Sequence, residues 1–225
     1  MSVLDALFAT VAPLECTVCN REDYLLCPDC TIELGPHPPS RCFRCFSPTK
    51  NFKTCPQCAL TCDAFSVKPV YAYTKLAKKV VHDFKFNGKR AAAKDLAQLM
   101  APSTASLSRQ TMIVHIPTAT SRVRLRGYDH AKLLAKSLSH NTGLLHFALL
   151  TRSTQGRQVG LSKAQRNLNM IDAFRIVNAG LVKGADILLV DDVATTGATL
   201  TEAAKVLKQA GAHRVDALVF AQALK

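Results

Sequence analysis

The residues best suited to chemistry lie near the end of the chain, where Asp191-Asp192 is followed by Thr195-Thr196-Gly197-Ala198-Thr199. A loop of threonine and glycine ahead of a helix turns backbone N–H groups and hydroxyls toward one point, where the helix dipole also favours an anion. Carboxylates repel a phosphate but accept hydrogen bonds from vicinal hydroxyls, and a pair of them raises the local affinity for a divalent ion. The combination suits a phosphorylated sugar, with Asp191 and Asp192 on ribose hydroxyls, Thr195 to Thr199 around the phosphate, and Gly197 letting the backbone come close. An ordinary strand–turn–helix unit capped by Asp and Thr would use the same residue types, but at fewer fixed positions.

The second set of chemical residues is cysteine. Cys16/Cys19, Cys27/Cys30, Cys42/Cys45 and Cys55/Cys58 form four C-x-x-C pairs separated by seven, eleven and nine residues, with Cys62 left over as a spare thiol. Two intervening residues let both sulfurs of a tight knuckle reach one ion, and two knuckles complete a tetrahedral zinc site. Disulfides are the competing use, but repeated C-x-x-C is metal spacing. Zinc at one or both sites is therefore expected. Interleaved pairing is possible in principle; sequential pairing closes shorter loops at lower entropic cost and is preferred. Sites saturated with thiolates leave no position for water, so the metal is expected to be structural. His37, in a Gly-Pro-His-Pro-Pro stretch, has no ligand spacing around it.

Positioning these groups requires an α/β sheet. Ile187 to Val190 is an apolar run that reads as a strand buried on both sides, ending at the acidic pair, and Leu200, Ala203, Ala204 and Leu207 recur at helical spacing after the loop. Further strands are expected at 66–74, 111–117, 144–151 and 215–220. A leading helix carries Leu4, Leu7, Phe8 and Val11. Another places Leu76, Val80 and Phe84 on one face with Lys75, Lys78, Lys79 and Lys85 over the rest; it ends at Asn87-Gly88, and a new helix starts at Lys89. Those lysines are either a solvated face or a strip of phosphate contacts. Between strand 111–117 and the helix with Ala131, Leu134, Ala135 and Leu138, a loop with Arg122, Arg124 and Arg126 suits a pyrophosphate. Residues 151–174 are polar, basic and poorly periodic; they read as a long loop of the kind that forms lids, with Gly156 and Gly160 as hinges. Apolar strands separated by helices give a mostly parallel sheet with ligands at the strands' carboxyl ends.

Composition sets the outer bounds. With 225 residues the chain holds one α/β domain and a small satellite, divided here as 1–65 (zinc ribbon with a leading helix) and 66–225. No stretch approaches the ~20 apolar residues of a membrane span, and the start lacks the pattern of a signal peptide. A cytoplasmic protein without membrane insertion is expected. Of the net charge of +13, residues 1–66 contribute −2, residues 67–186 contribute +15 and residues 187–225 contribute 0. Such a block suits a polyanion or several phosphates, although a generic basic surface has the same composition.

Taken together, 187–199, the segment RxRLRGYDHA, the segment RxxTxxRQVGLSxxQRxxNxxxAF and the leading cysteine pairs resemble the ComF family, also called GntX-like. The resemblance implies a double zinc ribbon followed by a type I phosphoribosyltransferase domain, with a role in uptake of single-stranded DNA in natural competence and partners in the competence machinery. It implies that Asp191 and Asp192 hold the ribose of phosphoribosyl pyrophosphate (PRPP), that Thr195, Thr196, Gly197, Ala198 and Thr199 hold its 5′-phosphate, and that the loop from Thr118 to Arg122 holds its pyrophosphate, with Mg²⁺ arriving on the ligand. That loop reads Thr-Ala-Thr-Ser where the family often has a basic residue, which leaves Arg122 or Arg124 to serve. Residues 152–169 match the superfamily's catalytic loop, with Arg152, Arg157 and Arg166 covering the leaving group. Two functions follow: a PRPP-binding protein that handles single-stranded DNA, and an active phosphoribosyltransferase acting on a nucleobase or amine without a DNA role. No segment names an acceptor.

Overall fold

The computed structural model describes residues 14–86, 91–152 and 173–223. The leading helix with Leu4, Leu7, Phe8 and Val11, the Asn87-Gly88 helix end, and the loop residues Gly156, Arg157, Gly160 and Arg166 lie outside the described residues.

Two short helices, α1 (Pro28–Thr31) and α2 (Pro56–Ala59), each begin at the proline that follows a cysteine. Proline suits that position, since its missing N–H would have no helical partner there. The chain then enters β1 (Ser66–Ala72) and continues through α3 (Lys75–Phe86), α4 (Ala92–Met100) and β2 (Met112–His115). Next come α5 (Thr120–Arg126), α6 (His130–Thr142), β3 (His146–Phe147), β4 (Leu150–Arg152), β5 (Phe174–Ile176), α7 (Ala179–Val182), β6 (Asp186–Ala194), α8 (Ala198–Gln209) and β7 (Arg214–Gln222). Five strands form a parallel sheet in the order β1-β7-β6-β2-β3, and β4 and β5 make a separate antiparallel pair.

Three expectations need correction. The strand at 187–190 does not stop at the acidic pair: β7 extends to Gln222, so Asp191 pairs with Val219, Val193 with Ala221 and Ala194 with Gln222. The expected loop with Arg122, Arg124 and Arg126 is the helix α5, closed by Gly127 at φ 77°, whose N–H donates to Val123 O. The stretch 144–151 is two strands in different sheets, because β3 pairs with β2 while β4 turns to β5.

Alternation along the strands separates two cores. Ile113, Leu188, Val190, Leu218 and Phe220 face α3, α4 and α6, where Phe84, Leu96 and Leu134 are fully buried. Val114, Ile187, Leu189, Ala217 and Val219 face α8 through Leu200, Ala203, Ala204 and Leu207. Each large side chain so buried contributes about 1.5–3 kcal/mol. The cysteine-rich segment joins both cores: Leu25, Leu26 and Leu34 enter the first, Phe43 and Ala64 the second. Residues 52–54 also cover the free edge of β1, with Val67 N–H donating to Phe52 O and Thr54 N–H to Phe65 O. Among the described residues no helix is long and apolar enough to cross a membrane.

Candidate functional site

The crossover from β2 to β3 runs over one face of the sheet through α6, and that from β6 to β7 over the other through α8. The chain therefore winds outward in both directions from the β2/β6 pair, and the crevice at the carboxyl ends of those strands is where open α/β sheets bind ligands. Asp191 and Asp192 stand at that end of β6, and Thr118 follows β2.

The two aspartates are not equivalent. Asp192 is only 3% exposed, and Lys85 Nζ lies 2.8 Å from each of its oxygens while His130 Nε2 lies 2.8 Å from Oδ2. Arg126 Nη1 stands 3.0 Å from His130 Nδ1. A guanidinium can only donate, so Nδ1 accepts and the imidazole proton faces Asp192 from Nε2. Burial by itself would raise the Asp192 pKa, but the His130 hydrogen bond and the Lys85 charge override it and hold the carboxyl down at about 2. Asp191, partly exposed, accepts the Asp192 N–H on Oδ1 at 2.9 Å, and burial reinforced by the Asp192 charge pushes it up to about 8. Near neutrality the pair is one fixed anion and one acid that keeps its proton. Asp191 is thus the member free to meet a ligand.

The lysine strip expected on α3 is partly consumed by this arrangement, since Lys85 is tied to Asp192 and Lys79 Nζ donates to Thr17 O at 2.6 Å; Lys75 and Lys78 remain exposed. His130, whose helical neighbours alone read as core, was not singled out from sequence although it stands in the RGYDHA segment.

Residues 195–197 form a short turn between β6 and α8. Thr195 and Thr196 are exposed, Gly197 takes φ 72° and Ala198 opens the twelve-residue α8, with Thr199 in its first turn. The glycine has a cause the sequence did not reveal: a Cβ there would lie 2.5 Å from Cε2 of Phe43, a residue of the cysteine-rich segment. Gln222 Nε2 donates to Phe43 O at 3.1 Å, so the head forms the backing of this loop. Thr118 is brought to the opposite wall, but its N–H and hydroxyl both donate to Asp129, at 3.1 and 2.9 Å. The cations around it are guanidiniums: exposed Arg122, half-buried Arg126 and Arg152, whose Nε donates to Pro117 O at 2.8 Å. Burial and then Arg122 lower the pKa of Arg126; burial also lowers Arg152, with Arg122 adding to it and Asp191 opposing it. The Arg122 charge repels both of the others, and an anion with several oxygens would relieve that repulsion.

The cysteines assemble sequentially, as Cys16, Cys19, Cys27 and Cys30 and as Cys42, Cys45, Cys55 and Cys58, with the ligand atoms of each set within 4.8 Å of one another. Cys19 and Cys27 sulfurs are 3.7 Å apart and those of Cys45 and Cys55 3.5 Å. Tetrahedral zinc with bonds of about 2.3 Å separates its sulfurs by about 3.8 Å, so both sets suit zinc. Burial opposes ionisation of Cys16, yet backbone N–H groups of Cys19, Cys27 and Val18 bring it down to about 6; Ser47 does the same for Cys45. His37 takes no part: its Nδ1 lies 2.7 Å from Val70 O. Cys62 is buried beside Thr201, outside both sets. His130, Asp191 and Asp192 also lie close enough for a metal, but Lys85 already neutralises the one charged carboxylate, which suits a divalent ion carried by the ligand better than one resident on the protein.

The Phosphoribosyl transferase domain family matches residues 125–225. DNA utilization protein YhgH of Salmonella typhi is 31% identical over 212 residues, covering 89% of this chain and 87% of that protein. YhgH of Escherichia coli K12 is 30% identical over 213 residues with the same coverage. Competence protein ComFC of Streptococcus pneumoniae R6 is 25% identical over 199 residues, covering 87% of each.

Proposed function

The chain belongs to the family of YhgH and ComFC, a type I phosphoribosyltransferase fold with two four-cysteine sets at its head, and from that membership we propose that it binds PRPP and acts in the uptake or handling of single-stranded DNA. The observation that carries the PRPP reading is the crevice itself. An accessible Asp191 whose carboxyl is raised to about 8, a loop that ends in Gly197 at the α8 N-terminus, and the guanidiniums of Arg122, Arg126 and Arg152 border the space at the carboxyl ends of β2 and β6. In that space Asp191 meets the ribose hydroxyls, Thr195 to Thr199 hold the 5′-phosphate, and Arg122 beside Thr118 faces the pyrophosphate, whose oxygens bring Mg²⁺ with them. Asp192 acts behind Asp191, fixing its orientation through the backbone. Zinc in the cysteine sets is structural, because four thiolates leave no open position. The boundary between head and catalytic-type domain falls at 65/66, where the chain enters β1. The DNA role draws on the names of the relatives and on the +15 charge of residues 67–186.

A second reading, transfer of the phosphoribosyl group to a nucleobase or amine, is favoured by Arg152, which is anchored on Pro117 O at the mouth of the crevice beside Asp191. There it would stabilise departing pyrophosphate. Arg157, in the neighbouring loop, is assigned to the same task. Calorimetric titration with PRPP and Mg²⁺ tests the first reading: saturable binding that weakens in Asp191→Ala is expected, and no heat with the unaltered protein would end it. Pyrophosphate release with a panel of nucleobases and amines tests the second; release with none of them would exclude turnover on those acceptors.

A further inference from the structure

At the end of α6 remote from His130 the structure holds a second cavity, of ≈ 990 Å³, bounded by α4, the turn Ala101–Thr104, residues 105–109 and the last two turns of α6. About 18 Å of helix separates the two ends of α6, so this cleft is distinct from the crevice at Asp191. Its polar lining includes Lys94, Arg109, Lys136, His140, Gln98 and Asn141. No Asp or Glu lines it. Among the described residues no carboxylate lies within salt-bridge distance of Lys94, Arg109 or Lys136; Asp95, next in sequence to Lys94 and within reach of its charge, accepts the Leu25 N–H at 2.6 Å.

Lys94, Arg109 and Lys136 are all exposed around this cleft, which therefore presents a positive face to solvent. Gly143 closes α6 at φ 73°, and the Arg109 guanidinium lies in contact range of that turn, 3.4 Å from where a Cβ would stand. The carboxyl end of α6 opposes an anion here, but a helix terminus carries only about half a charge. Three cations outweigh it. The apolar part of the lining is Ala101, Pro102, Ala105, Leu107 and Leu144, with no aromatic carbocycle among the residues that line the cleft. A site of this kind recognises phosphate oxygens first, with only the His140 imidazole and the Arg109 guanidinium as flat surfaces for a base.

We propose that this cleft holds the phosphodiester backbone of single-stranded nucleic acid, on the opposite end of the domain from the sugar-phosphate crevice. The inference rests on the DNA-handling part of the proposed function and gives it a location. A concave groove with amides between its cations tracks one flexible strand through its phosphates, and the sequence of that strand leaves no mark on affinity. Two independent sites on one domain also let a sugar-phosphate ligand and a strand be held together.

The test uses the full chain and a fluorescent thymidine oligonucleotide, read by anisotropy between 50 and 200 mM salt. Arg109→Glu with Lys136→Glu is compared with Lys75→Glu with Lys78→Glu, which changes net charge equally on exposed positions of α3. Thermal unfolding checks that both fold; Arg109→Gln with Lys136→Gln is the milder substitute if the reversal does not. The expected result is a loss of at least ~10-fold in affinity and a decrease of about 1.4 in the slope of log K against log salt for the cleft variant, two phosphate contacts at about 0.7 each, with a small change for the control. Saturating PRPP and Mg²⁺ should leave oligonucleotide affinity unchanged. Equal losses in both variants, displacement of the strand by PRPP, or thymidine monophosphate binding as tightly as the oligonucleotide would each overturn the proposal. If the unaltered protein binds no oligonucleotide at low salt, the DNA-handling reading falls with it; if that binding is intact and indifferent to Arg109 and Lys136, only the cleft assignment falls.

Discussion

The two four-cysteine sets share a sequence signature and differ in what they touch. The first is fastened to α3 and α4: Thr17 Oγ1 donates to Asp83 at 3.0 Å, Lys79 reaches Thr17 O, and Asp95 accepts the Leu25 N–H. Its apolar residues fill the core on the α6 side. The second stands against the phosphate loop, with the Phe43 ring over Gly197, Phe43 O held by Gln222 and Cys62 beside Thr201. One set therefore braces helices and the other backs the loop at Gly197. Identical cysteine spacing acquires different consequences from the surface each set buries.

Four outcomes would sharpen or break that contrast. The largest effect belongs to the ion: Cys45→Ser with Cys55→Ser removes half of one ligand set, whose metal contributes on the order of 10 kcal/mol. Zinc content should fall by one per chain, with a steep drop in thermal midpoint and in PRPP affinity; Cys19→Ser with Cys27→Ser should lose the same zinc and spare PRPP affinity in whatever fraction stays folded.

Next is packing. Phe43→Ala should cost about 3–5 kcal/mol and Leu25→Ala about 2–5 kcal/mol in denaturant unfolding, but only the first should weaken PRPP binding. Equal effects on the ligand would dissolve the contrast. A subtler measure is the Gly197→Ala variant, which forces a side chain into φ 72° at about 1–2 kcal/mol and drives it against Phe43. Combining it with Phe43→Ala should give less than the sum of the single losses, since removing the ring relieves the clash that the Gly197→Ala side chain makes with it.

The smallest effect concerns pH. Asp191, raised to about 8, binds its proton more tightly when folded than when unfolded, so it withdraws stability as pH climbs from about 4 toward 8. Asp192, held at about 2, does the reverse, adding stability above about 4 that is lost as pH falls toward 2. Asp191→Asn, which mimics the protonated acid, should therefore match the unaltered protein near pH 4 and melt several degrees higher at pH 8. A variant less stable at pH 8 would mean that Asp191 is ionised in the folded chain.

Much of the site could be read in advance because its parts are consecutive. Residues 187–200 contain strand, acids, loop and helix in one run, and four C-x-x-C pairs in close succession leave little freedom in how they share two ions. The readings that changed depended on distant partners. β6 continues past the acids because β7, about thirty residues later, is long enough to pair with it. TSRVRLR is helical because Gly127 ends it and Asp129 caps the next helix, a local signal outweighed in the sequence reading by its run of arginines.

The sequence by itself determined which residues carry charge, thiol and hydroxyl, and their periodicity determined that strands alternate with helices over a basic middle segment; these are local properties, and short-range sterics and hydrophobic spacing express them directly. Only the tertiary structure decided that Lys85 and His130 close on Asp192, so that one aspartate is fixed as an anion and its neighbour keeps a proton. Only it set Phe43 behind Gly197 and gathered Lys94, Arg109 and Lys136 into a cleft far from the acids. Each of those outcomes depends on distances between residues tens to more than a hundred positions apart, and such distances are fixed by how the two faces of the sheet pack.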